Sequence, residues 1–170
     1  RMDLWELRWL AYTSYWPWGF YAVPVPLLLF FGKNVHVLIF SNIVYLAILC
    51  WSMTRLGQRL NSPLSFVLLL LCPAVFGSLT RYEPNFANIA MMALGLAALL
   101  ESERFTHRSW SVLWGISLGL GLMLDRLTVG LYLIPAVLPI LSQGSFWSNP
   151  TRRRNFGCSF LLVLCCSFAY

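Results

Sequence analysis

Long apolar runs separated by short polar connections set the pattern of this chain. Six runs, at 35–53, 64–80, 86–100, 110–124, 127–141 and 156–170, predict membrane-spanning segments. They are apolar all round rather than along one stripe. Backbone facing lipid must satisfy its own hydrogen bonds, so helices are expected. Several runs fall short of the roughly 20 residues a straight span needs, so flanking residues should extend them or the bilayer should thin around them. A seventh run, 15–31, differs: Pro17, Pro24 and Pro26 interrupt it, and Tyr12, Tyr15, Trp16, Trp18, Phe20 and Tyr21 crowd its start. Such rings gather at the membrane–water boundary, and the prolines break a continuous helix. An interfacial or re-entrant segment is the expectation there. Residues 2–10 interleave Asp3, Glu6 and Arg8 with Leu and Trp, as in a short interfacial helix.

Composition agrees with this pattern. Hydrophobic residues make up 59% of the 170 and charged residues 11%, with a mean hydropathy of +0.70. A chain of this length cannot bury so much apolar surface in its own core, and disorder requires the opposite composition. The chain opens on Arg1 and stops inside an apolar run, so it reads as a piece of a longer protein. The expected architecture is an all-α, polytopic transmembrane helix bundle of about six spans. Residues 1–170 form one partial domain, with 1–34 at the outer surface and the spans in 35–170.

Net charge is +6, and the placement of the bases matters more than their sum. Arg55, Arg59, Arg104, Arg108, Arg152, Arg153 and Arg154 fall in the connections 54–63, 101–109 and 142–155, while the opposite connections hold only Arg81 and Arg126. The positive-inside rule puts the first set in the cytoplasm. Nucleic acid is therefore not an expected partner. Cys50, Cys72, Cys158, Cys165 and Cys166 all lie in apolar stretches with no Cys-x-x-Cys pair and no clustered histidines. They read as small apolar fillers rather than metal ligands, and no metal or cofactor is expected.

Two outward turns carry the candidate chemistry. The first is Thr80-Arg81-Tyr82-Glu83-Pro84-Asn85 and the second is Leu124-Asp125-Arg126-Leu127-Thr128. Each brings an acid and an arginine to the same face of the membrane, where charge is costly and functional by default. Arg81 and Arg126 could clamp a lipid phosphate, whose oxygens match the guanidinium fork. Glu83 or Asp125 could then act as a base. The alternative is that these are ordinary turn charges, locally paired and solvated. Asn88, one turn into the next span, would face the same cavity or serve as helix–helix glue. Gly115, Gly119 and Gly121 form a small-residue face, and the spacing of Gly115 and Gly119 predicts close helix packing.

The order of these segments resembles the GT-C glycosyltransferases of family 39, which include the protein O-mannosyltransferases and the bacterial lipid A aminoarabinose transferases. The resemblance runs from the aromatic, proline-containing Tyr15-Trp16-Pro17-Trp18 segment, through Arg81-Tyr82-Glu83-Pro84-Asn85-Phe86 and Glu101-Ser102-Glu103-Arg104-Phe105. It continues through the Gly-rich helix that ends Leu124-Asp125-Arg126-Leu127-Thr128 and closes at Tyr132-Leu-Ile-Pro135. In that family a Gly-rich helix ends in a Lys-x-Thr turn, and here Arg126 stands at the Lys and Thr128 at the Thr. The resemblance implies transfer of a sugar from a polyprenyl-phosphate donor to a lipid, glycan or protein acceptor at the outer face. Glu83 and Asp125 would be catalytic, with Arg81, Tyr82, Asn85, Asn88, Arg126 and Thr128 binding substrate. It also implies membrane lipids as partners and a multi-pass location, with the bacterial inner membrane the default. The family's own acidic motif follows a first span, and nothing before Trp9 shows that span. The different-class alternative is a flippase or transporter-like multispan protein, which would place polar groups on broken helices around a cavity.

Overall fold

The computed structural model describes residues 24–32, 34–62, 75, 77, 84–124 and 128–168. Among them the fold is all-helical: α1 (Pro24–Phe31), α2 (Val35–Arg59), α3 (Pro84–Glu101), α4 (Arg108–Leu124), α5 (Thr128–Leu141), α6 (Gly144–Ser148) and α7 (Pro150–Phe168). Five of the six apolar runs thus fall in helices, while the run 64–80 and the segment 1–23 lie outside the described residues almost entirely. Among the described residues one stretch, Ile39–Arg59 of α2, is long and apolar enough to cross a membrane, so the six expected spans are not all shown. Asn85–Glu101 and Val129–Leu141 are apolar but shorter.

Local chemistry explains the boundaries. Pro24 opens α1, where a missing N–H costs nothing. Gly32, at φ +83°, closes it by donating its N–H to the Leu28 carbonyl at 3.0 Å, a backbone geometry that needs no Cβ. Asn34 then caps α2, its side chain accepting from the His36 N–H at 3.0 Å. The helix continues to Arg59 rather than ending at residue 53, because Leu56 and Gly57 are buried against the bundle and the Thr54 hydroxyl bonds back to the Cys50 carbonyl at 2.8 Å. The 142–155 connection is likewise mostly helix. Trp147 Nε1 donates to the Leu141 carbonyl at the end of α5 at 2.8 Å. Asn149 accepts from the Thr151 N–H at 3.0 Å and so starts α7 at Pro150 rather than 156. Both corrections have one cause: polar residues continue a helix when burial on one side or a cap at its end supports them.

Helix α3 is central, packed against α2, α4 and α5, and α4 carries α7 on its other side. At the α4–α7 contact the approach is to backbone. A Cβ on Gly115 would lie 2.6 Å from the Ser159 carbonyl oxygen, and one on Gly119 would lie 2.9 Å from Cys166 Sγ. The Ser159 hydroxyl donates to the Ser111 carbonyl at 2.7 Å across the same seam. Gly121, by contrast, faces Val129 of α5. The glycines therefore serve two interfaces rather than one face.

The apolar core also encloses polar side chains, and large apolar side chains cover much of the exterior. Ser41, Asn42, Ser52, Asn88, Ser111, Ser117, Asn155 and Ser159 are buried, while Phe30 (85% exposed), Leu131 (67%) and Leu161 (61%) face outward. Large apolar side chains are exposed on all of α1, α2, α5 and α7. An exterior of this kind exceeds the scattered apolar residues normal on a soluble surface.

Candidate functional site

The described flanks of the two turns singled out by sequence are helix ends: Pro84 opens α3, Leu124 closes α4 and Thr128 opens α5. Arg81, Tyr82, Glu83, Asp125 and Arg126 fall outside the described residues. What is described are the flanks. Phe86, three residues beyond Glu83, and Leu124, which precedes Asp125, belong to one packed cluster with Tyr45, Leu49, Ala87 and Ala90. The chain leaving one turn and the chain entering the other are thus brought together by apolar burial. Thr128 opens α5 immediately after the second turn.

Of the proposed binding residues on α3, Asn85 is exposed in the first turn and Asn88 is buried, at 3% exposure, one turn deeper. Three further polar groups sit at this end of α2 that sequence reading passed over: Ser41, Asn42 and Tyr45, all buried. Their mark in the sequence is the stripe Asn42, Tyr45, Leu49, Ser52, Leu56, spaced three and four apart, which is the buried face of α2. Buried carboxamides, a hydroxyl and a phenol supply hydrogen-bond donors and acceptors but no acid–base group at neutral pH. Among the described residues this end offers binding groups and no carboxylate.

The opposite end gathers the arginines. Arg59 at the end of α2 pairs with Glu103 at 2.6 Å, Arg152 Nε donates to Thr106 Oγ1 at 3.3 Å, and Asn155 Nδ2 donates to the Phe105 and Thr106 carbonyls at 2.9 and 3.1 Å. The three arginine-bearing connections therefore share one end of the bundle. Arg55 lies 5.7 Å from the Trp51 ring and 5.9 Å from that of Trp110, and those two indoles stack at 5.8 Å. The hydrogen bond from Arg59, then its charge, hold the Glu103 carboxyl below the usual carboxylate range, with His107 at 3.5 Å adding to the effect.

At the centre of this end is a left-handed turn: Glu103, Arg104 and Phe105 have φ of 48°, 62° and 65°. Phe105 is fully buried and meets Trp114 at 5.3 Å and Phe156 at 5.1 Å, both edge to face. Asn155 Oδ1 and Trp114 Nε1 are buried there without a hydrogen-bond partner among the described residues, a polar cost of this seam. Among the described residues no three His, Cys, Asp or Glu side chains cluster to hold a metal. Compared with protein-family models, curated proteins and solved structures, the chain matches none.

Proposed function

We propose that this chain is part of a multi-pass membrane glycosyltransferase, of the bacterial inner membrane, that transfers a sugar from a polyprenyl-phosphate donor at the outer face. The membrane part of this reading is supported by the large apolar side chains exposed on the bundle, by the long apolar stretch of α2 and by the collection of seven arginines at one end. The transferase part is supported by one observation above all: the flanks of the two acid-and-arginine turns, Phe86 and Leu124, meet in a single cluster beside buried polar groups of α2 and α3.

In this reading Arg81 and Arg126 hold the donor phosphate, while Tyr82, Asn85, Asn88 and Thr128 hydrogen-bond donor or sugar. Glu83 or Asp125 takes the proton from an acceptor hydroxyl as its oxygen attacks the anomeric carbon. The carbon–oxygen bond to phosphate breaks, and the polyprenyl phosphate leaves with its charge neutralised by the arginines. Inversion at the anomeric carbon follows from a single displacement.

The test is sugar transfer by the full-length protein from polyprenyl-phosphate donors. Arg126→Ala and Glu83→Ala should each lower kcat/KM by roughly 10²-fold or more, the range for losing a charge-stabilising group or a general base. Unchanged turnover in both variants would remove the site assignment. Acceptor-independent movement of the lipid-linked sugar across vesicle membranes would instead favour a flippase.

A further inference from the structure

Helix α7 has one face committed to the bundle and one left open. Asn155, Ser159 and Val163 are buried toward α4. On the other side, Arg153 and Arg154 are exposed near the helix start, and Phe160 and Leu161 are exposed two turns further on. Seven residues is nearly two full turns, so Arg153 stands above Phe160 and Arg154 above Leu161, about 10 Å apart along the axis. Gly157 lies between the pairs, and a Cβ built there meets nothing within 4 Å. The face therefore reads, from its end inward, as two guanidiniums, a notch, and two large apolar side chains.

Arg153 and Arg154 carry charges that no described residue balances. Neither guanidinium has a hydrogen-bond or ion-pair partner among the described residues. The first turn of α7 contains no acidic residue, and Glu103, on the adjoining connection, is already held by Arg59. The start of a helix also carries roughly half a positive charge of its own, which makes it an unfavourable place for arginines. The backbone donors of that turn are taken by Asn149, which accepts from Thr151 and Arg152. An anion would thus be held by the side chains, not by the helix terminus.

We propose that this face binds an anionic phospholipid: Arg153 and Arg154 hold the headgroup phosphate, the glycerol region fits the notch at Gly157, and an acyl chain lies over Phe160 and Leu161. The inference rests on the membrane reading above, and it places the site at the opposite end of the bundle from the proposed transferase turns.

The experiment uses the full chain, purified in a neutral detergent and equilibrated with equimolar phosphatidylglycerol and phosphatidylcholine, with bound lipid quantified by native mass spectrometry. The wild type should retain phosphatidylglycerol in clear excess. R153Q/R154Q should lose that excess by roughly fivefold per guanidinium, while R153K/R154K keeps most of it. Gly157→Leu, which fills the notch without touching a charge, should also lower retention. Equal retention of the two lipids by the wild type, or an excess that survives R153Q/R154Q, would overturn the proposal. So would displacement by soluble glycerophosphate as effective as that by the lipid, since the site would then recognise a free anion. A chain that is monodisperse without detergent would refute the membrane reading itself, a result separate from equal lipid retention in detergent.

Discussion

Phe105 shows how a costly backbone is held in place by what it delivers. Three successive non-glycine residues in the left-handed region cost about 1–2 kcal/mol each, and the turn they make drives the Phe105 ring among Trp114, Phe146 and Phe156. The Ser102 hydroxyl accepts from the Phe105 N–H at 3.2 Å, and Asn155 takes up the outgoing carbonyls. Phe105→Ala should therefore lower the unfolding free energy by about 3–5 kcal/mol, a cavity-sized loss, measurable by denaturation in detergent. A change below 1 kcal/mol would mean that the aromatic cage does not support the turn. Glu103 gives a pH prediction at the same scale. Its carboxyl is held below the ordinary range by Arg59, so the pair contributes stability above the unfolded glutamate value and loses it as pH falls through the lower folded value. The melting-temperature gap between wild type and Glu103→Gln should be largest near neutrality and close below about pH 4. A gap independent of pH would show that the ion pair is not its source.

Between elements, the α4–α7 contact is set by an absent side chain. Gly115 brings the two backbones so near that an added Cβ would sit 2.6 Å from a carbonyl oxygen, and a backbone atom cannot swing away as a side-chain tip can. Gly115→Ala should cost about 1–3 kcal/mol through overpacking. Gly157→Ala on the open side of α7 should be neutral, or stabilising by up to about 1 kcal/mol through helix propensity alone. Equal effects at the two positions would contradict the packing described. Helix α5 shows a different tolerance. Pro135 and Pro139 both lie within it and both are exposed, so each removes a backbone donor on a side that is not packed against the described helices.

Over the whole molecule, arginine placement and helix alternation describe the same asymmetry. The ends of α2 and α3 and the starts of α4 and α7 meet through Arg59–Glu103 and Arg152–Thr106, with Arg55 over the Trp51–Trp110 stack beside them. Single cysteines introduced at Ser62 and Ser78 should report this from outside the cell, with Ser78→Cys labelled by an impermeant reagent and Ser62→Cys protected. The reverse order would invert the orientation and move the proposed transferase turns to the cytoplasmic side.

The apolar runs were sufficient by themselves to indicate an all-helical chain, because a segment that is hydrophobic on every side has few other ways to satisfy its backbone. The flanks of the polar turns, Pro84, Leu124 and Thr128, are helix ends as the same runs indicated, and the spacing of Gly115 and Gly119 indicated a close contact. Tertiary structure alone decided which helix each glycine meets, since Gly115 and Gly119 turn toward α7 and Gly121 toward α5. It alone extended α2 to Arg59 and began α7 at Pro150, because burial of Leu56 and the Asn149 cap outweigh the polar character of those residues. It also made Ser41, Asn42 and Tyr45 candidates, since a polar residue in an apolar run looks the same in sequence whether its side faces lipid or a neighbouring helix. Hydrophobicity is a property of each residue and can be read along the chain. Which neighbour a side chain meets depends on how helices distant in sequence pack, and that is set only when the bundle closes.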